Sequence, residues 1–262
     1  MRQDTKSMQV GVIGTGSFSL AVITLLSNNV DVLIYSRKPE VVTQINTTHQ
    51  IATIPLATNV TATSDRVAFT KACTLIFPII SSDSFRAAMQ SFAPYLRPYH
   101  ILIHGTKGFD IHGDDPQNRV HTMSQIIQQE TNVLRIGCLS GPNLAVEIIE
   151  GLPTATVIGS EFQEVIEAGQ AVLSSPNFHV FGTQDLRGAE VAGAFKNVIA
   201  IGSGMLRGMG LGKNMQAVYL NQGLKEMIRF GKAIGTQEQV FFEVAGVGDL
   251  IATTTSKKSR NY

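Results

Sequence analysis

This chain has no excess of charge, no metal-type cysteine spacing and no long apolar run. Its 262 residues carry 21 lysines and arginines against 20 aspartates and glutamates. A formal net charge of +1 argues against a nucleic-acid or anionic-membrane surface, although a balanced total can hide a local basic pocket. Cys73 and Cys138, the two cysteines present, are far apart and sit in apolar runs. That excludes a thiolate metal site, predicts buried thiols and points to a reducing, cytoplasmic setting. The polar start Met1-Arg2-Gln3-Asp4-Thr5-Lys6-Ser7 lacks the apolar stretch of a secretory signal. No apolar run approaches the roughly 20 residues needed to span a bilayer, so no membrane insertion is expected.

What is present is enough apolar material, 44%, for a sizeable core in one large domain or two smaller ones. Short apolar runs at 9–13, 31–35, 74–80, 101–104, 135–139, 154–158 and 179–181 read as strands. Helical patterns fall between them at 18–27, 39–48, 85–92, 120–130, 144–150 and 163–173. Strand–helix alternation with nearly continuous apolar strands predicts a mainly parallel sheet covered on both faces. After about residue 185 the strand signals stop, and 187–206, 214–233 and 237–245 read as helices. The expected fold is therefore α/β, a doubly wound domain over 1–184 followed by an all-helical domain over 185–262.

The first strand runs into Gly14-Thr15-Gly16-Ser17-Phe18-Ser19, a G-x-G-x-x-G loop with Ser19 in place of the third glycine. The first glycine permits the tight turn, and the second lets backbone approach a pyrophosphate on the following helix N-terminus. A small serine can fill the packing role of the third. The strand before it and the helix after it favour a dinucleotide site over a merely structural turn. The carboxylate that would grip the ribose 2′-hydroxyl of NAD at the end of the second strand is missing. Tyr35-Ser36-Arg37 stands there instead. A hydroxyl and a guanidinium suit a 2′-phosphate, which favours NADPH or use of both cofactors, unless Arg37 is simply a solvated loop residue.

One helical run, from Gly188 to Gly202, is almost wholly small and apolar yet contains Lys196, followed by Asn197. An ammonium is costly to bury, and burial lowers its pKa toward the range where it can act as a base. The alternative is a lysine that snorkels past small neighbours to solvent.

Four more segments complete the pattern: Gly105-Thr106-Lys107-Gly108, Leu139-Ser140-Gly141-Pro142-Asn143-Leu144-Ala145-Val146-Glu147, Ala245-Gly246-Val247-Gly248-Asp249-Leu250, and Ser259-Arg260-Asn261. In this order, with the glycine loop and the Lys196 helix, they resemble the bacterial NAD(P)-dependent glycerol-3-phosphate dehydrogenases over essentially the whole chain. The resemblance implies a Rossmann domain and a helical substrate domain. It also implies interconversion of dihydroxyacetone phosphate and sn-glycerol 3-phosphate with NADH or NADPH, a step that supplies glycerophospholipid synthesis. By position, Lys196 matches the proton acceptor, and Lys107 a lysine contacting substrate and cofactor. Gly141, Asn143, Asp249, Ser259, Arg260 and Asn261 match substrate contacts; many members have threonine or serine at Asn143. Gly14, Gly16, Ser17, Phe18, Arg37, Ala145 and Arg260 match the cofactor site. If adjacent, Lys107 would depress the Lys196 pKa by like-charge repulsion, and Asp249 would orient it. A phosphate-bearing substrate needs fixed donors, which Arg260 and Asn261 would supply.

The chain departs from the family in three places. Ser19 replaces the third loop glycine. The run Phe77-Pro78-Ile79-Ile80-Ser81-Ser82-Asp83 lacks the family's Val-Pro-Ser order. The sequence ends at Tyr262, where members continue with further helices, so the resemblance implies a helical domain incomplete at its C-terminus. A β-hydroxyacid or 6-phosphogluconate-type dehydrogenase and a non-catalytic nucleotide-binding homologue stay open. So does the oligomeric state, a homodimer among the options.

Overall fold

The computed structural model describes residues 9–51, 53–115 and 119–256. Strands and helices alternate from the start: β1 (Gln9–Ile13), α1 (Ser17–Ser27), β2 (Asp31–Tyr35) and α2 (Pro39–Thr48). A small hairpin, β3 (Gln50–Ile51) and β4 (Ile54–Pro55), precedes β5 (Val60–Thr63), α3 (Arg66–Ala72), β6 (Leu75–Pro78) and α4 (Ser82–Phe92). After β7 (Ile101–His104), a second hairpin, β8 (Asp110–Ile111) and β9 (Val120–His121), leads to α5 (Met123–Glu130). The sheet region closes with β10 (Arg135–Ser140), α6 (Ala145–Ile149), β11 (Thr154–Gly159), α7 (Gln163–Leu173) and β12 (Phe178–Thr183). Helices α8 (Leu186–Gly208), α9 (Lys213–Ala233) and α10 (Asp249–Thr255) follow.

The eight-stranded sheet has the order β12-β11-β10-β7-β6-β1-β2-β5. Pairing is parallel throughout except between β10 and β11. From β5 to β10 this is the doubly wound dinucleotide-binding order, with its reversal point between β1 and β6. Alternate strand residues feed two cores. Val10 and Val12 pack with α1 and α7, whereas Ile13, Ile76 and Leu102 pack with α4, α5 and α8. The second core runs on without a break into α9 and α10 through Met227, Phe241 and Leu250. Both cysteines are buried and unbridged, and burial pushes the Cys73 thiol up to about 12.

The structure differs from the sequence reading in several elements. β5 and α3 were not expected: Val60-Thr61-Ala62-Thr63 is a half-polar edge strand, and α3 is only seven residues long. Their signal was the cap, since Asp65 Oδ1 accepts the N–H groups of Val67 (2.7 Å) and Ala68 (3.2 Å). The helix expected over 120–130 begins at Met123, because Thr122 and Gln125 form a capping box and Val120–His121 pairs with β8. The helix expected over 237–245 is instead a 3₁₀ turn at Glu238–Phe242 and a π turn at Val244–Gly248. Glycine is required at 246, where a Cβ would lie 2.1 Å from the Phe241 carbonyl oxygen. This irregular passage delivers Asp249 to the first position of α10.

Candidate active site

The glycine loop lies at the reversal point of the sheet. Gly14 has φ +125°, and a Cβ there would meet the Ile79 carbonyl oxygen at 2.2 Å. Ser19 turns that proximity into a bond, its hydroxyl donating to Ile79 O at 2.8 Å while buried under α1. The serine thus ties α1 to the segment after β6, which accounts for the departure from the third glycine. Gly16 precedes α1, and no atom lies within 4 Å of where its Cβ would stand. No side chain caps α1 and no acidic residue occupies its first turn. An open backbone over an uncapped helix N-terminus fits a pyrophosphate, so these residues suit a dinucleotide. Ser17 is exposed, and Phe18 covers Gly105, where a Cβ would meet its ring at 2.9 Å. At the end of β2, Ser36 is buried and its oxygen accepts the Lys38 N–H at 3.3 Å, while Arg37 is exposed. Ala145 opens α6, which packs along α1.

The second group of residues converges on α8. Lys196 is buried, with 7% of its surface exposed, so the structure does not let it snorkel. Its Nζ donates to Asp249 Oδ1 and, at 2.9 Å, to Thr253 Oγ1. The other carboxylate oxygen of Asp249 takes Lys107 Nζ at 2.7 Å, and Lys107 also donates to Gly141 O at 3.0 Å. One carboxylate, 1% exposed, therefore holds two lysines. Burial lowers the Lys196 pKa, the Lys107 charge lowers it further, and Asp249 opposes both; the outcome is about 7 instead of 10.5. Asn143 donates to Thr156 Oγ1 at 2.9 Å, and its buried Oδ1 has no partner. Ser259, Arg260 and Asn261 lie outside the described residues.

Sequence reasoning missed Thr253, one turn after Asp249 on α10, and a buried network of Glu190, His104 and Ser124 on the sheet side of α8. The signal for Glu190 was available: it is the other charged residue in the small apolar run that contains Lys196.

The N-terminal model of NAD-dependent glycerol-3-phosphate dehydrogenase matches residues 9–166, and the C-terminal model of the same enzyme matches 185–262. The chain belongs to the NAD-dependent glycerol-3-phosphate dehydrogenase family. Glycerol-3-phosphate dehydrogenase [NAD(P)+] of Saccharophagus degradans is 37% identical, over 97% of this chain and 70% of its own length. The Azotobacter vinelandii protein of that name is 38% identical, over 97% of this chain and 74% of its own. Among solved structures, glycerol-3-phosphate dehydrogenase from Coxiella burnetii superposes with a TM-score of 0.87 at 25% identity, covering 97% of this chain and 78% of that one. The Saccharomyces cerevisiae enzyme gives 0.84 at 26% identity, covering 98% and 79%. This membership favours glycerol-3-phosphate dehydrogenase over the β-hydroxyacid and 6-phosphogluconate-type reading. No helix among the described residues is long and apolar enough to cross a membrane.

Proposed function

We propose that Lys196, Asp249 and Lys107 form the acid–base centre of an NAD(P)-dependent glycerol-3-phosphate dehydrogenase that interconverts dihydroxyacetone phosphate and sn-glycerol 3-phosphate. The observation that carries this reading is the buried Lys196, bonded to a carboxylate that also holds Lys107. A nicotinamide cofactor, when bound, supplies or accepts the hydride. Gly14 and Gly16 admit its pyrophosphate, with Ser17, Phe18, Arg37 and Ala145 beside it. In the reducing direction Lys196 enters as the ammonium and delivers a proton to the oxygen that develops negative charge. In the oxidising direction neutral Lys196 takes that proton back. Asp249 fixes the Nζ position, and Lys107 keeps the two protonation states close in energy while contacting substrate and cofactor. Gly141 and Asn143 line the substrate side, and Ser259, Arg260 and Asn261 are proposed to hold the phosphate. The proposed setting is the cytoplasm, supplying glycerophospholipid synthesis, with a homodimer retained as a candidate assembly.

Turnover of dihydroxyacetone phosphate with NADPH tests the reading directly, and absence of turnover overturns it in favour of a non-catalytic nucleotide-binding homologue. The pH dependence has a defined sign. Reduction needs the ammonium, so kcat/KM for reduction should fall as pH rises through about 7, and that for oxidation should rise over the same interval. Profiles in both directions that are flat from pH 6 to 9 would remove Lys196 from the proton transfer.

Cofactor preference is proposed to reside at Ser36 and Arg37, where no carboxylate grips a ribose diol. Ser36→Asp with Arg37→Ala should swing preference toward NADH by about 10- to 100-fold, because the new carboxylate accepts from the diol and repels a 2′-phosphate. Fluorescence titration of both cofactors measures this without turnover. An unchanged NADPH:NADH affinity ratio would place Arg37 in solvent.

A further inference from the structure

Glu190 is buried on α8 among Ala189, Val191 and Ala192. A carboxylate there is costly unless its hydrogen bonds are satisfied, and an apolar residue of similar size would fill the space at no such cost. Its Oε1 accepts from His104 Nε2 at 2.9 Å and from the Ser124 N–H at 2.7 Å. Its Oε2 accepts from the Ser124 hydroxyl at 2.6 Å. Burial disfavours the charged form, but the bonds from His104 and Ser124 outweigh it and hold Glu190 below the usual carboxylate range. The other ring nitrogen of His104, Nδ1, is buried without a partner. The imidazole therefore spends its hydrogen bonding on Glu190, while its ring meets Phe85 edge-on.

The place of this network explains what it can do. His104 ends β7, and Lys107 follows three residues later. Between them Thr106 donates to Ile80 O at 2.7 Å, which fixes the loop to the segment that follows β6. On α8, Glu190, Gly193 and Lys196 are spaced three apart and form one ridge. His104 sits on Glu190, and the Lys107 stem passes 3.6 Å from the Cβ position of Gly193. The Lys107 ammonium then meets the carboxylate that holds Lys196. The strand end and its loop are thus laid along the ridge in register, with Glu190 as the anchor at its start and the Lys107–Asp249 pair at its end.

We propose that Glu190 is a positioning residue for the reaction: through His104 and Ser124 it seats the β7–Lys107 loop on α8, so that Lys107 reaches Asp249 beside Lys196. The proposal rests on the acid–base role given to Lys196. The charged groups facing Lys196 are Asp249 at the start of α10 and Lys107 on the loop. When the loop loses register, Lys107 withdraws, its repulsion is lost, and Asp249 is left to Lys196 alone.

The test is the titration of Lys196, followed by NMR of 13Cε-labelled lysine in the protein without substrate or cofactor, together with the pH profile of kcat. Glu190→Ala removes the anchor. His104→Phe keeps the ring volume and the contact with Phe85 but removes the bond. Both should raise the Lys196 pKa by about one unit and carry the alkaline limb of reduction upward with it, with kcat about 10-fold lower. Glu190→Gln can accept from His104 and from the Ser124 N–H and donate to the Ser124 hydroxyl, so it should restore the parent titration. Folded Glu190→Ala or His104→Phe with the parent titration and a lowered melting temperature would make the network structural only and overturn the proposal. If Glu190→Ala fails to fold, His104→Phe decides the matter by itself. The titration needs no turnover, so an inactive parent would count against the proposed reaction, whereas an active parent with unmoved variants would count against the positioning role.

Discussion

Replacing Lys196 with alanine should lower turnover by about 10²–10⁴-fold, the usual worth of a positioned acid–base group. Nicotinamide cofactor affinity should stay close to the parent's, because the glycine loop at the end of β1 takes no support from Lys196. Asp249 keeps Lys107 as a partner in this variant, so the carboxylate is not stranded and the fold should survive. Exposed Lys225 on α9 is the matched control, and Lys225→Ala should leave turnover unchanged. Steady-state kinetics in both directions, with cofactor binding measured separately, make the comparison. Near-parent turnover in Lys196→Ala would defeat the assignment.

Asp249→Asn should carry the largest cost in stability. It removes the countercharge from two lysines, one of them buried, and breaking a buried pair in this way costs about 3–5 kcal/mol. For a chain of this size that corresponds to a melting temperature lower by about 10 °C. The deficit should depend on pH in a defined direction. Without Asp249 the force that raises the Lys196 pKa is gone, while burial and Lys107 still lower it. The folded Lys196 pKa of the variant should therefore lie below the parent's value of about 7. A folded pKa below the unfolded one means that the unfolded chain binds more protons, so each protein gains stability with pH from its own folded pKa up to the ordinary lysine pKa of about 10.4. Above pH 7 the two rise together and the deficit is constant, whereas just below it only the variant gains, so the deficit should shrink as pH rises toward 7. Thermal or denaturant unfolding of parent and variant from pH 5 to 9 measures it. A deficit that does not shrink between pH 5 and 7 would show that Asp249 does not raise the Lys196 pKa.

The doubly wound sheet was legible because its signals are local. β1, β2 and β7 are apolar runs bounded by polar or turn residues, and Gly14 and Gly16 sit where such a sheet reverses. Edge strand β5 was not legible: with Val60 and Ala62 turned inward and Thr61 outward, it buries one face and carries half the apolar signal of a central strand. The run 237–245 was misread for a related reason. Its apolar spacing resembles a helix, but the packing of Phe241 against Gly231 and Gly246 forces a 3₁₀ turn and a π turn.

The sequence by itself determined the candidates for the chemistry. Lys196 stood out as a lysine in a run of small apolar residues, whereas Lys107 in its Gly-Thr-Lys-Gly loop and Asp249 after two glycines were reached through the family resemblance. Only the tertiary structure decided what those residues do to one another. Lys107, Lys196 and Asp249 come from three separate segments, and that Asp249 holds both lysines follows from the packing of the β7 loop and α10 on α8. Glu190 was visible as a letter in the same run, yet its meaning depended on His104 and Ser124, 86 and 66 residues away. A pKa is set by burial and by the charges within a few ångströms, and neither is fixed until distant segments have packed together.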